Sequence, residues 1–407
     1  MYADLQCAVV MISLDKKRRR VKGNSWIVRN QRMSKCCKCP NEVWTLRICQ
    51  VSQRFHPYIG GVETHVEEIS KRLLQKGIEV EVLTTDASGK LKRTEIVNGI
   101  LVRRFRSFAP HEAYYFSPKL EQYLRKEYRS FDIVHAHNYN AFPSLHAVRA
   151  KNTDKFVVTP HYHGTGHTFT RRLLHVPYKL LGKQVFEKAD RIICVSEYER
   201  SLILNGFRVK KGKTVMIPNG INMREIRKHK KRSKSGRTIL YVGRLEKYKG
   251  IHNLLQVLPS LSPDINLQIV GIGPYQGNLL RLAARLGLEG RIEFFHNLSQ
   301  DELLQKYADA DLLPLLSNHE AYGMVVAEAL CSGVPCIVAN TSALKEWVDG
   351  RNCFGIDYPI NLQKLSNLIG DVIGKKVETP NLLDWDEVTD RVYNVYKEVL
   401  GLGGNRQ

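Results

Sequence analysis

No apolar run in this 407-residue sequence approaches the roughly 18 to 20 residues needed to cross a bilayer as a helix. The stretch Leu5 to Leu14 is too short and is interrupted. A membrane-spanning helix is thereby excluded, and a soluble or peripheral protein is expected. Framework cysteine spacing is also missing. The nine cysteines fall at 7, 36, 37, 39, 49, 194, 331, 336 and 353, the last four inside apolar runs that read as core. This pattern excludes a disulfide scaffold and suits a reducing compartment. Cys36, Cys37 and Cys39 could supply half of a zinc site, but no second spaced Cys/His pair completes the four ligands, so no metal is expected. Acidic residues are scarce at 40 against 62 Lys and Arg, which leaves a formal charge of +22.

The location of that charge decides more than its size. Met1 to Gln50 hold eleven Lys/Arg against three Asp/Glu, and Ser201 to Leu240 hold twelve against one, leaving +3 for the other 317 residues. The body of the chain is therefore nearly neutral. It carries a basic leader and a basic belt around Lys228, His229, Lys230, Lys231 and Arg232. Nucleic acid is not expected as a partner, because no binding motif or aromatic platform accompanies the charge. Attraction of the belt to an anionic membrane surface or a phosphorylated acceptor fits it better. Residues 1–44 lack sustained periodicity and read as a disordered extension, with the functional start downstream, for example at Met33.

From Leu46 the pattern becomes that of an α/β fold. The strand Leu46 to Val51 leads into Gly60-Gly61-Val62-Glu63 and a helix whose apolar residues recur at Val62, Val66, Ile69, Leu73 and Leu74. Paired glycines let backbone N–H groups approach a bulky anion. Strands at Val80 to Thr84, Ile133 to His135, Phe156 to Thr159, Arg191 to Val195 and Thr214 to Ile217 alternate with helices, which implies a parallel sheet. His161 follows the strand ending Val158-Thr159-Pro160, where open α/β sheets place their ligand crevice, with His163 and His167 close behind. His135 reads instead as a core imidazole. Thr168 to Lys188 is a basic amphipathic helix suited to core packing or to a membrane surface.

Pro218-Asn219-Gly220 signals a turn, the stretch to Gly236 reads as a linker, and a second α/β series follows. Its strands are placed at Thr238 to Val242, Ile265 to Val270, Ile292 to Phe295, Leu312 to Leu315 and Cys336 to Val338. Arg244 and Lys249 lie in the loop after the first of these, offering a forked donor and a point charge to a diphosphate. Gly271, Gly273 and Gly277 look superficially like a dinucleotide fingerprint, but the last glycine is one place late. The loop Ser317 to Ala321 opens onto a helix read as Tyr322 to Ser332, and a helix start suits a phosphate. Glu320 precedes that helix. Glu328 lies inside it, where a buried acid needs a donor such as a ribose hydroxyl pair.

In this order, the motifs Gly60-Gly61-Val62-Glu63, Thr159-Pro160-His161, Pro218-Asn219-Gly220, Val242-Gly243-Arg244-Leu245 with Lys249-Gly250, Val270 to Pro274, and the paired glutamates resemble glycosyltransferase family 4. Members of that family are retaining, nucleotide-sugar-dependent enzymes with the GT-B fold. The resemblance covers about Leu46 to Leu400 and implies two Rossmann-like domains facing across a cleft. The expected boundaries are an extension at 1–44, an acceptor-side domain at 45–220, a linker at 221–236, a donor domain at 237–383 and a last helix at 384–400 crossing back.

The resemblance also implies roles for individual residues. Arg244 and Lys249 would neutralise the donor diphosphate in place of a metal, Gly60 and Gly61 would present backbone to it, and Glu328 would hold the ribose. Glu320, with Gly323, Met324 and Val325 at the helix start, would contact the donor, and His161 would sit by the sugar's reacting end. No cofactor is implied beyond a UDP- or GDP-linked sugar, and the expected acceptor is a glycan or lipid-linked sugar reached from the cytoplasmic face of a membrane. The extension has no family counterpart, and Phe295-His296-Asn297 replaces a common glycine near the base. Two rival readings are an NAD(P)-dependent oxidoreductase built on Gly271 to Gly277 and a non-catalytic polyanion-binding protein.

Overall fold

The run Ile48-Cys49-Gln50-Val51 shows no polar alternation because both of its faces are covered, and each of these residues is buried in strand β1 (Arg47–Val51). The computed structural model describes residues 46–153, 155–164, 169–233, 235–378 and 381–402, with side chains at 111 and 169–177 left undescribed. The extension 1–44 with Cys7, Cys36, Cys37, Cys39 and Met33, together with His167, lies outside the described residues.

Around β1 stand β2 (Glu79–Asp86), β3 (Thr94–Val97), β4 (Ile100–Arg106), β5 (Ile133–His137), β6 (Phe156–Thr159), β7 (Arg191–Cys194) and β8 (Thr214–Met216). Their order is β3-β4-β2-β1-β5-β6-β7-β8, all parallel except the β3–β4 pair. The crossovers are α1 (Gly61–Gln75), α2 (Pro118–Glu127), α3 (Phe142–Ala150), α4 (Phe169–Lys188) and α5 (Glu197–Phe207). Because β1 pairs with both β2 and β5, the strand order reverses at their carboxyl ends. Such a switch point leaves a crevice that neighbouring crossovers do not fill.

A second sheet repeats the device. It contains β9 (Arg237–Val242), β10 (Ile265–Val270), β11 (Ile292–Phe295), β12 (Leu313–Leu315), β13 (Cys336–Ala339) and β14 (Cys353–Ile356). Two parallel segments, β11-β10-β9 and β12-β13-β14, join where the Leu240 N–H donates to the Leu312 carbonyl at 2.9 Å. The reversal therefore falls between β9 and β12. The helices here are α6 (Met223–Lys228), α7 (Ile251–Val257), α8 (Gln276–Arg285), α9 (Gln300–Asp309), α10 (Met324–Cys331), α11 (Leu362–Val372) and α12 (Trp385–Leu400). A capping box, Asp384 with Glu387, starts α12, and its apolar face packs Trp385, Val388, Val392 and Val395 against Ile48, Ile133, Val157 and Ile193 of the first sheet. Ion pairs Arg72–Asp386 (2.7 Å) and Lys76–Asp390 (2.6 Å) flank that contact.

Several local expectations change. The helix read as Tyr322 to Ser332 starts at Met324, because Gly323 takes φ 100° as its N-cap and Tyr322 stays in the loop. Within the stretch read as a linker, Met223–Lys228 is helical and buries Ile226. The belt's cations are largely paired: Lys228 with Glu225, Lys231 with Asp311, Arg232 with Asp309, and His229 beside Asp301. Strands β3, β4 and β14 were not anticipated. Cys194, Cys331, Cys336 and Cys353 are buried free thiols, as their apolar surroundings suggested.

Candidate active site at two facing switch points

Gly60 is the N-cap and Gly61 the first residue of α1, at the end of the loop that follows β1. Across the cleft, Met324 opens α10, and a Cβ added to Gly61 would lie 3.9 Å from the Met324 Cγ. The two helix starts therefore approach one another. Farther along, the Ser196 hydroxyl donates to the Ala321 carbonyl at 2.8 Å, and the Glu346 carboxylate accepts from the Glu197 and Tyr198 N–H groups at 3.1 and 2.6 Å. These contacts tie the first turn of α5 to the loops of the second sheet.

Lys249 and Glu320, 71 residues apart in sequence, form an ion pair at 2.5 Å with both side chains largely shielded from solvent. Burial pushes the Lys249 ammonium toward the neutral form, but the Glu320 carboxylate, aided by Tyr248 and Tyr241, outweighs it and holds the ammonium above the ordinary lysine range. Lys249 therefore stays charged at any working pH. Arg244 is half exposed and pairs with Glu246 at 3.0 Å, with Glu112 of the first sheet's side 3.9 Å away.

Glu112 also meets Arg54 at 3.2 Å, and Arg54 holds Glu63 at 3.0 Å. A run of alternating charges thus spans the cleft. Neither Arg54 nor Glu112 was singled out from the sequence, and their separation along the chain gave no signal. The Glu63 carboxylate lies close over the start of α1, since a Cβ on Gly60 would meet it at 2.6 Å. Arg54→Ala would strand this buried carboxylate, and a loss on the order of 3 kcal/mol in urea unfolding is expected.

Glu328 faces inward from α10 and accepts a 2.6 Å hydrogen bond from the Tyr307 hydroxyl on α9. The donor that a shielded acid requires is thus supplied by the protein itself. Tyr307 was missed in the sequence, although the demand for a donor was legible there. Burial pushes the Glu328 carboxyl up to about 7, against the pull of that hydroxyl. Val325 and Met324 line the same helix start, half-buried.

His161 is buried just beyond β6 with φ 48°. His135 sits between the Tyr396 hydroxyl (2.7 Å) and the Thr159 hydroxyl (2.8 Å), a satisfied core imidazole. The glycines at 271 and 273 have a packing reason. A Cβ at Gly271 would stand 2.0 Å from the Gly243 carbonyl oxygen and one at Gly273 would stand 2.3 Å from that of Leu245, so these loops must touch backbone to backbone. That approach accounts for these two glycines without a dinucleotide.

Comparison with known proteins agrees with the fold. Residues 59–225 match the family model described as Glycosyltransferase Family 4, and residues 222–380 match that of Glycosyl transferases group 1. The chain is 25% identical over 379 residues to the GDP-mannose:cellobiosyl-diphosphopolyprenol alpha-mannosyltransferase of Komagataeibacter xylinus, covering 88% of this chain and 94% of that one. Among solved structures, sucrose-phosphate synthase from Thermosynechococcus elongatus superimposes with a TM-score of 0.73 at 19% identity, over 88% of this chain and all of the other. Anabaena HepE in complex with UDP-glucose gives 0.70 at 19% identity, over 87% of this chain and all of the other.

Proposed function

Since the chain belongs to the family 4 glycosyltransferases, built on the GT-B architecture, we propose that it moves a sugar from a UDP- or GDP-linked donor, with retention, to a glycan or lipid-linked acceptor. One observation carries this reading. Two switch-point crevices open onto each other, and the second carries two cations, Arg244 and Lys249, after β9 and a shielded carboxylate, Glu328, on α10.

Arg244 and Lys249 neutralise the donor diphosphate as its bond to the sugar breaks, which is electrostatic stabilisation of the leaving group without a metal at that position. Lys249 reaches it by releasing Glu320, and the freed carboxylate then accepts from the sugar's hydroxyls. Glu328 holds the ribose beside Tyr307. His161, neutral because burial and the neighbouring histidines hold its pKa well below the usual range, fixes the sugar near its reacting carbon. The acceptor attacks on the face the nucleotide leaves, so no carboxylate nucleophile is assigned. The acceptor lies on the first sheet's side, where α4 exposes Leu180 and Leu181 between Lys179 and Lys183. That combination suits the headgroup region of an anionic membrane, on the cytoplasmic face. The Komagataeibacter relative, named for a polyprenol-linked acceptor, supports a lipid-linked sugar.

The Glu328 carboxyl gives this reading a pH signature. At pH 6 it is mostly protonated and at pH 8 mostly ionised, and only the ionised form accepts from both ribose hydroxyls. Affinity for a nucleotide sugar, whose diphosphate does not titrate in this window, is expected to rise up to about tenfold from pH 6 to 8. Titration calorimetry checks this, and Glu328→Gln is expected to flatten the profile. A wild-type affinity independent of pH would remove Glu328 from the ribose site.

A further inference from the structure

We infer that His65, His137 and His161 form a binding site for a divalent transition-metal ion, with zinc the ion best matched to three imidazoles. The three residues come from different elements. His65 is in the second turn of α1, His137 ends β5, and His161 follows β6, so the cluster lies at the first sheet's switch point. Their exposures are 0%, 0% and 8%. Ring centroids are 5.4 Å apart for His65 and His137, 5.0 Å for His65 and His161, and 6.0 Å for His137 and His161. One nitrogen from each lies within 4.8 Å of the others.

Hydrogen bonding determines which nitrogens are available. His65 Nδ1–H donates to the Asn219 amide oxygen at 2.8 Å, leaving its Nε2 as a lone pair. His137 Nε2–H donates to the Gln50 amide oxygen at 2.7 Å, leaving its Nδ1. Gln50 is itself oriented, because its amide nitrogen donates to the Tyr396 hydroxyl at 3.2 Å. These bonds are the outer-shell contacts that set tautomer and ring direction in histidine metal sites. The remaining atoms, His65 Nε2, His137 Nδ1 and His161 Nε2, are buried and have no hydrogen-bond partner. Burial favours the neutral, ligating form of all three rings, and the neighbouring histidines add to it for His137 and His161.

The choice of occupant follows from the lone pairs. Two buried acceptors without partners, His65 Nε2 and His137 Nδ1, cost about 1–3 kcal/mol each. A cation takes both of these lone pairs and, from the Nδ1–H tautomer of His161, its Nε2 lone pair as well. Zinc–nitrogen bonds of about 2.0–2.1 Å require the ligand atoms to be closer than 4.8 Å, so the rings must each turn inward by less than about 1 Å. Coordination through Nε2 would also leave the His161 proton on Nδ1, fixing that ring as a donor from its other edge. The site lies apart from Arg244 and Lys249 and shares only His161 with the donor reading, and its test reads metal uptake rather than transfer.

The test uses the full chain, stripped with a chelator and dialysed. It is then titrated with Zn2+, with uptake measured by elemental analysis, and with Co2+, followed by its visible absorption. Wild type is expected to take one more equivalent of zinc than His65→Gln/His137→Gln, and to give a tetrahedral Co2+ spectrum that the double variant lacks. Uptake by cysteines elsewhere is the same in both proteins and cancels in the difference. Asn219→Ala keeps all three ligands and is expected to weaken Zn2+ binding about 10–100-fold, which guards against a double variant that fails to fold. Zinc should also raise the melting temperature of wild type but not of the double variant. Equal uptake by wild type and a folded double variant, or an Asn219→Ala affinity equal to wild type, would overturn the inference.

Discussion

Lys249→Ala is expected to lower sugar transfer by about 10²–10³-fold while the protein still folds, the loss typical of removing one preorganised charge from a developing anion. The size follows from the pair the residue makes. Lys249 and Glu320 are 14% and 17% exposed, so water cannot substitute for the missing ammonium when the diphosphate departs. Removing it also strands the Glu320 carboxylate, and a stability loss on the order of 2 kcal/mol should accompany the kinetic one. Lys249→Ala/Glu320→Gln separates the two effects. Taking away both charges should restore most of the stability without restoring turnover, which steady-state kinetics and urea unfolding read independently. If turnover returned with stability, the pair would be structural and the diphosphate assignment would fail.

Trp385→Ala is expected to be the most destabilising single change, at about 3–5 kcal/mol. The indole is 1% exposed and packs with Ile48, Ile133, Val157 and Ile193, so the cavity would open where the last helix meets the first sheet. Repacking is limited by the backbone beside it, since a Cβ on Gly220 would meet the Trp385 N and Cα at 2.8 Å and the Ile221 N–H donates to the Leu383 carbonyl at 3.1 Å. Urea unfolding measures the loss, and Trp385→Phe should recover part of it. Because α12 joins the chain's end to the sheet that carries His161 and Gly61, transfer should fall in the alanine variant as well. A loss below about 1 kcal/mol would show that α12 is not held by this contact.

The parallel sheets were legible because both their faces are covered: Cys336 to Ala339 is apolar throughout, and Ile48 to Val51 is interrupted only by Gln50. Strand β3 was not, because Thr94–Val97 is a half-exposed edge strand whose residues, Thr-Glu-Ile-Val, do not alternate polar with apolar. Glu320, Glu328, Arg244 and Lys249 were legible as residues following strands. Their partners were not. The Lys249–Glu320 pair, the Tyr307 hydroxyl on Glu328 and the Arg54–Glu63 contact arise from tertiary approach, on which spacing is silent. His65 was hidden for a related reason. It sits among the apolar residues of α1, and only the arrival of β5 and β6 gives it histidine neighbours. The basic stretch at 228–232 was read as a free linker because its aspartate partners lie about 70 to 80 residues downstream.

Whether the cleft holds a nucleotide sugar by its diphosphate and ribose is decided by a donor screen: wild type, Arg244→Ala and Lys249→Ala are each incubated with UDP- and GDP-sugars and a polyprenol-linked glycan acceptor, without added Mg2+ or Mn2+. Released nucleotide and the anomeric configuration of the product are measured, with NAD(P) binding titrated alongside. Wild type is expected to turn over one donor into a product that keeps the donor's anomeric configuration, both variants to lose most of that turnover, and NAD(P) not to bind. Tight NAD(P) binding with no donor consumed, or undiminished turnover in both variants, would contradict the nucleotide-sugar reading.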